Sequence, residues 1–106
     1  IISSRSKVTI GERCKIGGNV RIFDHDFHSI DSKVRATPED VNNIRSAAIN
    51  IDDDCFIGTN AIILKGTCLG ARTIVAAGSV VFGLKVPPDS LVKGNPAVIV
   101  SREKVR

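Results

Sequence analysis

An aliphatic side chain recurs at every sixth position along most of this chain. One register runs through Ile10, Ile16 and Ile22, and a second through Ile51, Ile57, Ile63, Leu69, Val75, Val81 and Pro87. The position two before each start is small or branched, as at Val8, Cys14, Val20, Ile49, Cys55, Ala61, Thr67, Thr73 and Ser79. Six is a multiple of two, so a strand of this period shows the same side to a core in every repeat. It is not a multiple of 3.6, so a helix would scatter these residues around its surface. Gly11, Gly17, Gly58 and Gly70 follow their inward aliphatics, and glycine gives the chain freedom to turn a corner there. Asn19, Asp54 and Asn60 stand two residues further on, and such residues tolerate left-handed geometry. Each hexad therefore reads as a short strand plus a corner. Three hexads would close one triangular coil, and stacked coils would give an all-β parallel β-helix. The period leaves the hand and the number of sides open.

The two registers do not join. From Ile22 to Ile51 is 29 residues, one short of five hexads, so the segment 24–48 is expected to leave the helix as a loop. Long loops on repeat scaffolds are commonly functional. Within this one, Thr37-Pro38-Glu39-Asp40 reads as a helix start, with a short helical turn expected over Pro38 to Ile44. Both histidines lie at its root, in Asp24-His25-Asp26-Phe27-His28. Three roles fit them: turn residues at a strand end, metal ligands with nearby carboxylates, or a general base on a rigid scaffold.

Composition adds limits. The length suits a single domain over residues 1–106. The chain opens in mid-pattern without Met, with Ser4 to Thr9 as a degraded hexad, and reads as the C-terminal part of a longer chain. It has no Trp or Tyr, no apolar run long enough to span a membrane and no signal-peptide pattern, and a cytoplasmic protein is expected. Cys14 and Cys55 fall in the small inward column and Cys68 points outward, which suits reduced core fillers better than a disulfide framework. The net charge of +4 collects late, at Lys85, Lys93, Arg102, Lys104 and Arg106, either as a solvated tail or to attract a phosphorylated ligand. Nucleic-acid binding is disfavoured, since no aromatics interleave with these basic residues. The outward residue before each start in the second register is apolar at Phe56, Ile62, Cys68, Ile74, Val80 and Val86. Steps of eighteen would stack Phe56 on Ile74, Ile62 on Val80 and Cys68 on Val86, a column that predicts an interface.

The repeats, the His at the loop root followed by Ser29-Ile30-Asp31, the stretch Ala76-Ala77-Gly78-Ser79-Val80-Val81, and Pro87-Pro88 with Gly94-Asn95-Pro96-Ala97 resemble the hexapeptide-repeat acyltransferases. The resemblance is to their sugar O-acetyltransferase branch. It implies a left-handed β-helix, a homotrimer with sites between subunits, and acetyl transfer from acetyl-CoA to a hydroxyl of a sugar or similar small acceptor, with no metal. It further implies His25 as base and the Thr59 backbone N–H as oxyanion donor. Asp24 or Asp26 would orient the imidazole, and with His28 would meet the acceptor. Ala77, Gly78 and Gly94 would lie along CoA, with Lys85, Lys93 or Arg102 at its phosphates. One departure stands out: Phe82-Gly83 occupies the place where relatives carry a Thr-Lys pair. Two other functions compete, a γ-carbonic-anhydrase-like metal enzyme and a non-catalytic structural β-helix. The first needs histidines spread over several coils, whereas these two lie three apart.

Overall fold

A computed structural model describes residues 1–100. The chain winds into a three-sided prism of parallel strands. The first face is built from β1 (Ile2–Ser3), β4 (Arg21–Phe23), β7 (Ile62–Leu64) and β10 (Val80–Phe82), in that order. The second holds β2 (Val8–Ile10), β5 (Ile49–Ile51), β8 (Cys68–Leu69) and β11 (Lys85–Val86). The third holds β3 (Lys15–Ile16), β6 (Phe56–Ile57), β9 (Ile74–Val75) and β12 (Leu91–Gly94), closed by the antiparallel β13 (Ala97–Val100). Ile51, Ile57, Ile63, Leu69, Val75 and Val81 are all buried, as the hexad register predicts. Ile22 joins them, whereas Ile16 at the lowest coil is 43% exposed because no coil lies beneath it.

The glycines after the inward aliphatics are needed for close approach. A Cβ on Gly58 would sit 2.6 Å from the Ala77 backbone nitrogen, and one on Gly17 2.7 Å from that of Thr59. The left-handed residue comes two positions later, at Arg13, Asn19, Asp54, Asn60, Arg72 and Asp89, with φ near +60°. Along one edge these residues alternate in charge, and Arg13 pairs with Asp54 (2.8 Å) as Arg72 does with Asp89 (2.7 Å).

The register breaks at its upper end. Val86, not Pro87, points inward: Val86 lies opposite Leu69 and is buried, while Pro87 is exposed. Gly83, at φ +63°, turns the chain one residue early and shortens that hexad to five residues. The expected stacking of Cys68 on Val86 fails with it, and Lys85 is the neighbour of Cys68. The second face is therefore mostly polar outside, with Thr9, Asn50 and Lys85 in line with Cys68. Phe56 and Ile74 on the third face, and Ile62 and Val80 on the first, stack as expected.

Ile10, Ile16 and Ile22 lie opposite Ile51, Ile57 and Ile63, a separation of 41 rather than the usual 18, so the loop adds 23 residues. It holds a short helix α1 (Ser32–Arg35), which the sequence pattern did not predict, and a 3-10 segment Pro38–Asn43 where a helical turn was expected. The Thr37 side chain accepts the Glu39 N–H, as a cap should.

Candidate active site

Three fastenings hold the loop root. Asp24 is fully buried, and its carboxylate accepts the Ser4 hydroxyl (2.7 Å) and the backbone N–H groups of Arg5 (2.7 Å) and Ser6 (2.9 Å). Ile2 to Ile10 spans eight residues rather than six, and the extra length wraps this carboxylate. Burial pushes the Asp24 carboxyl up, but the hydrogen bonds from Ser4, Arg5, Ser6 and Lys7 outweigh it and hold the group below its ordinary 3.8. The loop also closes on itself. His25 forms an antiparallel bridge with Ser46, the Asp26 N–H donates to Arg45 O, and the Ala47 N–H to Asp24 O. Finally, Asp26 pairs with Lys65 (2.6 Å), whose ammonium lies 4.6 Å above the centre of the Phe82 ring.

The two histidines differ in every respect that matters to a base. His25 is 8% exposed. Its Nδ1 accepts the Phe27 N–H (3.0 Å), so in the neutral ring the proton sits on Nε2, which donates to Ser3 Oγ (2.8 Å). Neither nitrogen has a lone pair open to a ligand. The His28 side chain is 68% exposed. Its Nδ1 lies 2.7 Å from Asp40 Oδ2, and a carboxylate only accepts, so the proton is on Nδ1 and Nε2 is bare. Asp40 is itself fixed by the Ser29 N–H (2.6 Å); that bond, followed by the one from His28, holds its carboxyl below the ordinary 3.8. This is the arrangement of a base oriented by a third group.

Between the histidines the backbone makes a tight turn. The His28 N–H donates to Asp26 O (2.7 Å) around Phe27 at φ +68°. An i→i+2 hydrogen bond at positive φ is the rare, strained form of the γ-turn, and a residue held there costs on the order of 1–3 kcal/mol.

The other expected residues divide between edges. Thr59, Ala77 and Gly78 share the edge joining the third face to the first; Gly78 N–H donates to Thr59 O (2.9 Å). Gly94 N–H reaches Ser79 Oγ (3.2 Å), which brings the β12–β13 turn to this edge, with Lys93 exposed beside it. His25, Asp26, His28, Lys65 and Lys85 belong to the next edge, where the first face meets the second, and the Lys85 ammonium donates to Gly66 O. Thr59 and the histidines are thus separated by a whole face within one chain. Asp24, expected at the acceptor, is buried and has its donors within the chain, and it orients neither imidazole. Arg102 lies outside the described residues. Asp40, which the sequence did not single out, became visible only when the loop folded back across eleven residues to Ser29.

The chain is thus a parallel β-helix of hexads with one extruded loop that carries a histidine–carboxylate pair, the class of repeat-built prism. Residues 48–83 match the family of bacterial transferase hexapeptides (six repeats), and residues 7–22 the hexapeptide repeat of succinyl-transferase. The chain is 33% identical over 105 residues to an Escherichia coli (strain K12) protein named as a lipopolysaccharide biosynthesis O-acetyl transferase, WbbJ, covering 95% of this chain and 53% of that one. Its fold is similar to a hexapeptide-repeat acetyltransferase of Vibrio cholerae complexed with acetyl coenzyme A (TM-score 0.73, 39% identity, 88% of this chain and 48% of that one). It is also similar to a galactoside acetyltransferase in complex with coenzyme A (TM-score 0.79, 26% identity, 93% and 46%). The chain belongs to the hexapeptide-repeat transferase family, and its fold is the left-handed parallel β-helix. It spans about half the length of the curated relatives it matches.

Proposed function

We propose that this chain carries out acetyl-CoA-dependent O-acetylation of a sugar or similar small acceptor, with His28 as the general base. The observation that carries the reading is the contrast between the bare Nε2 of His28, backed by Asp40, and the occupied ring of His25. In the step itself, His28 Nε2 takes the acceptor's hydroxyl proton while that oxygen attacks the thioester carbonyl carbon. The tetrahedral oxyanion is met by a backbone N–H, for which Thr59 is the candidate. The C–S bond then breaks, and the imidazolium returns the proton to the leaving thiolate. Ala77, Gly78, Lys85, Lys93 and Gly94 remain the residues proposed for the CoA chain and its phosphates.

Because Thr59 and His28 stand on different edges, we assign the working site to two neighbouring copies, each giving one edge, in a homotrimer. The outward apolar residues of the first and third faces support this, with Phe56 51% exposed. Three unpaired cysteines and a CoA donor fit a cytoplasmic setting. Among the described residues no helix is long and apolar enough to cross a membrane.

The test is a pair of variants assayed for acetyl transfer to a panel of sugars. His28→Ala should lose about 10²–10⁴-fold in rate while still binding CoA. His25→Ala should raise the acceptor's KM more than it lowers kcat. If His25→Ala abolishes turnover and His28→Ala is nearly silent, the roles are reversed, as the family resemblance alone would have them.

A further inference from the structure

We propose that Phe27 is the platform on which the acceptor's ring stacks, and that it sets a preference for cyclic sugars over open-chain polyols. The inference rests on the reading of His28 as base and extends it to what that base can reach.

Phe27 directly precedes His28 and stands 44% exposed, although it is a large apolar side chain in a loop with many polar neighbours. The fold goes to some length to hold it there. Its backbone lies at φ +68°, a conformation that bulky residues rarely adopt, and the N–H that fixes it goes to His25 Nδ1. The Phe27 ring is braced from two sides, edge-on against Phe23 (4.9 Å between centres) and tilted against the His25 ring (4.3 Å). A strained turn that displays an aromatic face beside a catalytic group is more economically explained by a ligand than by stability, since the strain lowers stability. In this arrangement His25 is a positioning residue, whose buried ring anchors both the backbone and the ring of Phe27.

The surroundings narrow the ligand's chemistry. Asp26, next in the chain, is paired through Oδ1 with Lys65, and its Oδ2 has no hydrogen bond among the described residues. The pair is neutral overall and partly exposed, offering one acceptor and further ammonium protons at the rim. Phe23 is in register with Leu64 and Phe82, so the apolar strip continues from Phe27 up the edge. An apolar face with a few polar groups at its margin suits a ligand that has one C–H face and hydroxyls around its rim. A pyranose ring has that form. An acyclic polyol presents no such face.

The test separates binding from transfer. Saturation-transfer NMR would be run on wild type, Phe27→Ala, Phe27→Tyr and His25→Ala, with methyl glucopyranoside, methyl galactopyranoside and sorbitol as probes. Wild type should give signal at the ring C–H protons of at least one pyranoside and little with sorbitol. Phe27→Ala should weaken that binding by about tenfold or more, with Phe27→Tyr retaining it. His25→Ala should weaken it in parallel. Pyranoside binding that is unchanged in Phe27→Ala, equal to that of sorbitol, or absent from wild type overturns the proposal. Binding that depends on Phe27 with no acetyl transfer in any assay would leave the platform standing and overturn the reading of His28 as base.

Discussion

Asp24 and Asp40 are two carboxylates held below their ordinary range, for different ends. For Asp24 the depressed value is a contribution to stability, present above 3.8 and lost as pH falls through the lower folded value. Asp24→Asn should therefore cost about 1–3 kcal/mol at neutral pH, with the gap from wild type closing only in strong acid, as denaturant melts at several pH values would show. For Asp40 the consequence is kinetic. A carboxylate only accepts, so it keeps the proton on His28 Nδ1 and the lone pair on Nε2, whereas the amide of Asp40→Asn can also donate and no longer fixes that choice. Asp40→Asn should therefore lower the rate of acetyl transfer while leaving CoA binding unchanged; a lower melting temperature with no loss of rate would reduce Asp40 to a loop fastener. Thr73 offers an opposite case. Its buried hydroxyl has no hydrogen-bond partner among the described residues, so Thr73→Val should be neutral or raise the melting temperature.

At the level of the hexad, what the sequence made legible and what it hid follow from one distinction. Inward positions are chosen by burial, which period six exposes, and they were read correctly from Ile51 to Val81. The slip to Val86 escaped because Pro87 kept the count of six while Gly83 altered the path, and a left-handed glycine leaves no trace in periodicity. The corner glycines were recognised for the wrong reason, since the contact that demands them is with the backbone of the neighbouring coil, as between Gly17 and Thr59 or Gly58 and Ala77. Gly58→Ala should accordingly destabilise more than Gly78→Ala, because the first meets backbone at 2.6 Å and the second, at φ +72°, meets nothing within 4 Å. Equal melting temperatures for the two would refute the close-approach account. The loop was placed by arithmetic alone, but its internal bonds, above all His28 to Asp40, join residues whose spacing has no period. That is why the histidine pair was found and the difference between its hydrogen bonds was not.

For the whole molecule, the apolar outward residues Phe56 and Ile74 on the third face, and Ile62 and Val80 on the first, predict how copies would meet. Phe56→Glu should leave a folded chain but shift the proposed trimer to monomer in light scattering, and activity should fall with it if Thr59 and His28 act across copies. Ile63→Asp, by contrast, buries an unpaired charge in the stack and should cost several kcal/mol, on the order expected for such burial, with loss of cooperative melting. The loop's closure has a further consequence. Because it leaves and returns through the His25–Ser46 bridge, its 23 residues are an insertion whose ends already meet. Removing residues 25–47 would restore an uninterrupted hexad from Ile22 through Phe23, Asp24, Ala48, Ile49 and Asn50 to Ile51. The prism and the loop are thus separable modules: selection can rewrite one graft without renegotiating the architecture that carries it.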